Sequence, residues 1–146
     1  MTDIILNIAK GRIAHYASLP GTNDALIAVP LEASGLVADS TMVDYDTLAA
    51  ILAGASNEQT TVGRVTLTNV TVTVNDTDDR VDIDADPIAY AAPTASAAVG
   101  AFVICYDPDT TAGTDADLIP LGKYGVTWTP DGNAISFAVA DFARAS

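Results

Sequence analysis

The stretch from Val65 to Asp84 restricts the fold more than any other part of the chain. Val65-Thr66-Leu67-Thr68 carries its apolar side chains at odd positions, and Val70-Thr71-Val72-Thr73-Val74 carries them at even positions. Such period-two alternation is the pattern of a strand with one buried and one wet face. A continuous strand cannot change phase without exposing its apolar row. The reversal at Asn69-Val70 therefore predicts a bulge or bend. The turn formers Asn75-Asp76-Thr77-Asp78-Asp79 follow, and Arg80-Val81-Asp82-Ile83-Asp84 alternates again. Two alternating strands about a polar turn predict a β-hairpin. Asp82 and Asp84 make one face of its second arm negative, a pattern that keeps strands soluble and blocks edge-to-edge pairing.

Around this hairpin the chain reads as further short strands. Gly11 to Tyr16 alternates loosely, and Leu19-Pro20-Gly21-Thr22-Asn23-Asp24 is a turn cluster. The apolar run Ala25 to Val29, ended by Pro30, predicts a buried strand, and Gly35 to Thr41 a loop. One helix is expected, with Asp44 as cap, Tyr45 through Ala53 as body, Leu48, Ile51 and Leu52 on one face, and Gly54 as a left-handed stop. Val99 to Tyr106 reads as a central strand buried on both faces. Leu118 to Leu121 is short and apolar, and Tyr124 to Thr129 alternates. Pro130-Asp131-Gly132-Asn133 predicts a hairpin turn before Ile135, Phe137 and Val139, which mark an inward face. Residues 1–9 and 87–98 have apolar content outside any strand pattern and are candidate extended arms. Strands at this spacing predict a mainly β protein, a β-sandwich or small β-barrel with one short helix, in a single domain spanning 1–146.

Composition excludes several functional classes. The chain has 146 residues and a formal charge of −13, from 19 acids against 6 Lys and Arg. Seventeen of the acids are Asp, a turn former, and only Glu32 and Glu58 are Glu. Apolar residues make up 49%, which excludes intrinsic disorder. Such acidity without a basic cluster excludes nucleic-acid binding through phosphate neutralisation. No apolar run is long enough to span a bilayer, so no membrane partner is expected. Met1-Thr2-Asp3-Ile4-Ile5-Leu6 shows no basic segment, and no secretory signal is read there. The single cysteine, Cys105, lies in an apolar run and reads as a buried small hydrophobe.

Chemistry-bearing constellations are few. Asp107-x-Asp109 and Asp115-x-Asp117 offer hard oxygen ligands of the kind calcium takes. The EF-hand pattern fails there, because its sixth position from Asp107 is Ala112 and its twelfth is Leu118. Asp76-x-Asp78 fails as well, with Arg80 at the fifth position. Asp in turns ordinarily bonds its own backbone, so solvated acidic turns are the preferred reading. No pair of carboxylates stands out for acid–base work, and His15 has no partner at a suggestive spacing. No nucleophile elbow, phosphate loop or dinucleotide fingerprint occurs. No catalytic, cofactor-binding or metal-binding residue is therefore assigned, and a non-enzyme without cofactors is expected. Arg12, Arg64, Arg80 and Arg144 are candidates for carboxylate pairing within or between subunits, and Trp128, Tyr124 and Phe137 read as core.

Three stretches carry a resemblance. They are Asn23-Asp24-Ala25-Leu26-Ile27 with Asp44-Tyr45-Asp46-Thr47-Leu48-Ala49-Ala50, then Val72 through Asp82, then Cys105-Tyr106-Asp107-Pro108-Asp109-Thr110. Their order and spacing resemble small virion proteins of tailed actinobacteriophages. The resemblance implies a structural protein of the particle, a head decoration or minor capsid protein on the capsid surface. Its partners would be the major capsid protein and further copies of itself, as a trimer at local three-fold sites. It would be synthesised in the host cytoplasm and would stabilise the shell across capsomer boundaries. Two rival expectations are a tail-associated or host-surface glycan adhesin, with Trp128 or Tyr124 in a groove, and a calcium-dependent hydrolase with a clustered Asp site. The resemblance carries no site residues with it.

Overall fold

The computed structural model describes residues 3–139 and 142–145. It is mainly β and sandwich-like, without a closed barrel. The strands are β1 (Ile4–Ile5), β2 (Ala25–Glu32), β3 (Val65–Thr66), β4 (Thr71–Asn75), β5 (Arg80–Asp84), β6 (Ile88–Tyr90), β7 (Val99–Asp107), β8 (Ile119–Trp128), β9 (Ile135–Phe137) and β10 (Ala143–Ala145). Three short α-helices, α1 (Ile13–Ser18), α2 (Asp39–Met42) and α3 (Leu48–Ala53), join them. An antiparallel five-stranded sheet has the order β1-β8-β7-β2-β3. A three-stranded sheet has the order β10-β5-β4, and β6 and β9 form a two-stranded ribbon.

The five-stranded sheet is the middle of three layers. Even-numbered Leu26, Ala28, Phe102 and Ile104 face a core shared with Ile83 of β5, Ile88 and Tyr90 of β6, and Ile13 and Ala17 of α1. Odd-numbered Ile27, Val29, Leu31, Val103 and Cys105 face a second core with Met42 of α2 and Leu48 and Ile51 of α3. Both faces of β2 and β7 are covered, which is why these strands read as unbroken apolar runs rather than alternations. β7 is buried from Val99 to Tyr106, as its composition predicts.

The phase reversal at Asn69-Val70 is a change of sheet. β3 belongs to the five-stranded sheet and β4 to the three-stranded one, and Asn69 turns the chain between them at φ 51°. The predicted hairpin is β4–β5, with Asn75 opposite Arg80 and Asp79 at φ 51° closing the turn. Pro30 does not end β2, which runs on to Glu32. Even residues of β2 bond away from β7: the Pro30 carbonyl accepts from Gln59 N–H, and Leu26 accepts from Leu67. The donor that proline lacks thus falls on the side where only a loop runs alongside, so the ladder to β7 is intact.

Several expectations need correcting. Gly11 to Tyr16 is not a strand; its second half opens α1, whose Ile13 and Ala17 point into the core at helical spacing. The stretch Gly35 to Thr41 contains the start of α2, so the described residues hold three α-helices rather than one helix. The expected helix is shorter: Thr47, not Asp44, caps it, its Oγ1 accepting from Ala50 N–H at 3.2 Å. Gly54 is not left-handed, with φ −79°; the positive φ falls on Ala55. Gly54 is small for another reason, since any Cβ there would run into the Tyr45 ring. The turn at Pro130–Asn133 makes no hairpin, because β9 leaves β8 to pair with β6. The candidate arms do not stand free within the described residues. β1 pairs with β8, and Leu6 and Ala9 are fully buried, while Met1 and Thr2 lie outside the described residues. Segment 87–98 holds β6, and its Ala97 and Ala98 carbonyls accept from Gln59 Nε2 and Ala33 N–H.

Candidate functional site

The residues with chemical potential fall into four places. At one end of β2 and β7 lies an acidic corner. Tyr106 Oη donates to Asp24 Oδ2 at 2.8 Å, and Thr110 N–H donates to the Asn23 carbonyl. The phenol holds the Asp24 carboxyl below the ordinary carboxylate value, and burial together with that carboxylate pushes Tyr106 up to about 12. The following loop spends its carboxylates on itself. Asp107 Oδ1 accepts from Asp109 N–H at 3.0 Å, Asp109 Oδ1 from Thr111 N–H at 2.9 Å, and Asp117 Oδ2 from Thr114 N–H at 2.9 Å. The Thr111 hydroxyl and N–H hold Asp109, and the Thr114 N–H and hydroxyl hold Asp117, below their usual range. Of the three backbone bonds, the first two are the Asx-type turn bonds anticipated from the sequence, and the third reaches back three residues. Among the described residues no three His, Cys, Asp or Glu side chains gather to hold a metal ion.

Two arginine clamps form the second place. Arg64 engages Glu58 through Nε and Nη2 at 2.8 and 2.6 Å, and reaches Asp115 through Nη1 at 2.8 Å. This fork ties the acidic loop to the segment before β3. On the outer face of the hairpin, Asp82 accepts from Arg80 at 2.6 Å, and Arg144 of β10 lies 3.5 Å away. The cations, Arg80 foremost, hold the Asp82 carboxyl down. Arg64, Arg80 and Arg144 thus find carboxylates within the chain. β5 is the middle strand of its sheet, so Asp82 and Asp84 do not guard an edge.

Third, the aromatic residues near the other end of β7 form a packed cluster. Trp128 is 8% exposed; its ring lies 5.2 Å from Tyr90 and 5.3 Å from Phe137, and Phe137 lies 5.1 Å from Phe102. The Tyr90 hydroxyl donates to the Gly63 carbonyl, and burial pushes Tyr90 up to about 12. Beside the cluster opens a cleft of about 470 Å³ between the five-stranded sheet and β9, lined by Phe102, Ile104, Tyr124, Val126, Phe137 and Phe142. Its rim carries Asp3, which accepts from Gly125 N–H at 2.8 Å. The Tyr124 hydroxyl is enclosed and meets no hydrogen-bond partner among the described residues, and burial, helped by Asp3, raises its pKa far above the ordinary value.

The fourth place was not anticipated. Lys123 is fully buried and its ammonium pairs with Asp39, the first residue of α2. β8 places Lys123 opposite Val103, on the face that α2 covers. Period-two alternation around Gly122 and Tyr124 was the available signal. Elsewhere, His15 is exposed on α1, 5.7 Å from the Tyr16 ring. Cys105 is buried, and burial pushes its thiol well up. No helix among the described residues is long and apolar enough to cross a membrane. Comparisons with protein-family models, curated proteins and solved structures found no match.

Proposed function

We propose that this chain is a structural protein of a tailed-phage particle, a head decoration or minor capsid protein that binds the outside of the shell. It contacts the major capsid protein, associates with further copies of itself, and transforms no substrate. It is made in the host cytoplasm and ends in the virion. The observation that carries this reading is the resemblance in three stretches to small virion proteins of actinobacteriophages. Two of those stretches meet in the fold at the acidic corner, through the Tyr106–Asp24 and Thr110–Asn23 bonds. The third spans most of the β4–β5 hairpin. A charge of −13 keeps such a subunit soluble at high copy number before assembly.

The mechanism is stapling. A body whose central strands are buried on both faces deforms little, so its contacts across a capsomer boundary resist outward pressure from packed DNA. Binding stabilises only the state it recognises, so the subunit favours the expanded shell over its precursor. Mass spectrometry of purified particles tests the assignment. The expected result is the chain in heads at a copy number near that of the major shell protein. Its absence from heads, or its presence on tails alone, overturns the reading.

A further inference from the structure

We infer that the free edge of β4 is a self-association surface, at which two copies pair antiparallel about a two-fold axis to form a continuous six-stranded sheet. β4 closes one side of the β10-β5-β4 sheet. Among the described residues its backbone makes no hydrogen bond outside the β4–β5 ladder. At five residues it is also the longest strand at a sheet edge; β1 and β3 have two, and β6, β9 and β10 have three. An open row of N–H and C=O groups is a template for another strand, and proteins that must stay apart blunt it with Lys, Pro, a bulge or an inward charge. β4 has none of these. From Val65 to Asn75 the chain carries no charged residue, although nearly one residue in six is charged overall (17%).

The side chains point the same way. Val74 is 69% exposed, and among the described residues it and Leu19 are the exposed large hydrophobic side chains. A groove between α1 and β4, lined by Ala17, Ser18, Pro20, Leu67, Val70 and Val72, lies beside this strand. The occupant is a second copy because β4 is complementary to itself. With Thr73 on the axis, Val72 lies opposite the partner's Val74 on the inner face, and Thr71 opposite the partner's Asn75. Two β-branched cross-strand pairs then cover the exposed valines. Two molecules of −13 each repel, and β4 itself brings no carboxylate to the pairing edge, the nearest acids along the chain lying in the turn at Asp76, Asp78 and Asp79. Asp82, the nearest acid across the ladder from Thr73, is already balanced by Arg80 and Arg144. Pairing of one edge with itself closes at two copies, so this surface builds a dimer and not the expected trimer.

The inference stands apart from the virion assignment, since it concerns the isolated protein. Sedimentation equilibrium across concentration and sodium chloride tests it. The expected species has twice the monomer mass and tightens as salt screens the net charge. Val74→Lys places a charge on an already exposed side chain, so the fold is retained by circular dichroism while self-association weakens about tenfold or more. Thr73→Cys yields a covalent dimer on oxidation, a result the buried Cys105 cannot mimic. A monomer at every concentration and salt, a trimer, a dimer insensitive to Val74→Lys, or a dimer that the Thr73→Cys variant fails to cross-link would each overturn the inference.

Discussion

Lys123 and Asp39 show at the scale of single residues how position changes the value of a charge. The ammonium is fully buried and Asp39 is its counter-charge, partly open to solvent. Removing one partner of such a pair strands the other, whereas replacing the cation by an apolar side chain of similar volume removes the need for a partner. Asp39→Ala is therefore expected to lower stability by about 3 kcal/mol and Lys123→Met to be near neutral; urea unfolding of both variants distinguishes the two effects. Tyr106 supplies a second residue-scale case. Its hydroxyl depresses the Asp24 carboxyl, so its contribution is present in full above the ordinary carboxylate value of 3.8 and is lost as pH falls through the lowered value. The gap in melting temperature between wild type and Tyr106→Phe should be widest near neutrality and close in acid. A gap independent of pH would place the role of Tyr106 in packing alone. That Asp24 sits in a turn was legible from its neighbours, but its bond to Tyr106 was not, because the two lie far apart in the chain and only the β2–β7 register brings them together.

Elements obey local rules until tertiary contact overrides them. The β4–β5 hairpin follows its alternation closely, since a half-buried strand writes its period into the sequence. α1 does not, because six residues offer too little sequence to separate a helical from a loosely alternating pattern. Its identity comes from Ile13 and Ala17 seating in the core they share with β2, β5, β6 and β7. Pro130–Asn133 has the chemistry of a hairpin turn, yet β9 pairs with β6, where Phe102 and Trp128 give Phe137 an aromatic seat. Gly100 marks another override. The register of β7 shifts between Val99 and Ala101, and a Cβ on Gly100 would lie 2.6 Å from Ala33 Cα. Gly100→Ala should cost about 2 kcal/mol because backbone, unlike a flexible side chain, cannot yield cheaply. A thermal melt indistinguishable from wild type would show that β2 can withdraw at that point.

The whole molecule is polarised. Acids gather at the Asp24, Asp107 and Asp109 end and again along the β4–β5 turn and β5, aromatics pack at the Val99 and Trp128 end, and β4 itself is a sheet edge without charge. The acidic loop is held by its own Asx bonds and by the Arg64 fork, so its shape does not require an ion. Addition of calcium or of a chelator is accordingly expected to leave the melting temperature unchanged; a rise of several degrees with calcium would reveal an ion site in that loop. Net charge acts at this scale too. Self-repulsion among the 19 acids opposes close approach of copies, so salt should promote association even as it weakens the surface ion pairs.

By itself the sequence determined whatever depends on neighbours a few residues apart: the mainly β class, the alternating hairpin, the doubly buried β7, the Asx-bonded acidic turns and the inert Cys105. Tertiary structure decided which strands share a sheet. It moved β3 and β4 into different sheets at Asn69, took β9 away from β8, and made β5 a middle strand so that the acids of the hairpin leave β4 unguarded. Local chain geometry sets the period of a strand, but its neighbour across the ladder is chosen by burial of the whole apolar surface at once, a choice for which no single segment carries the information.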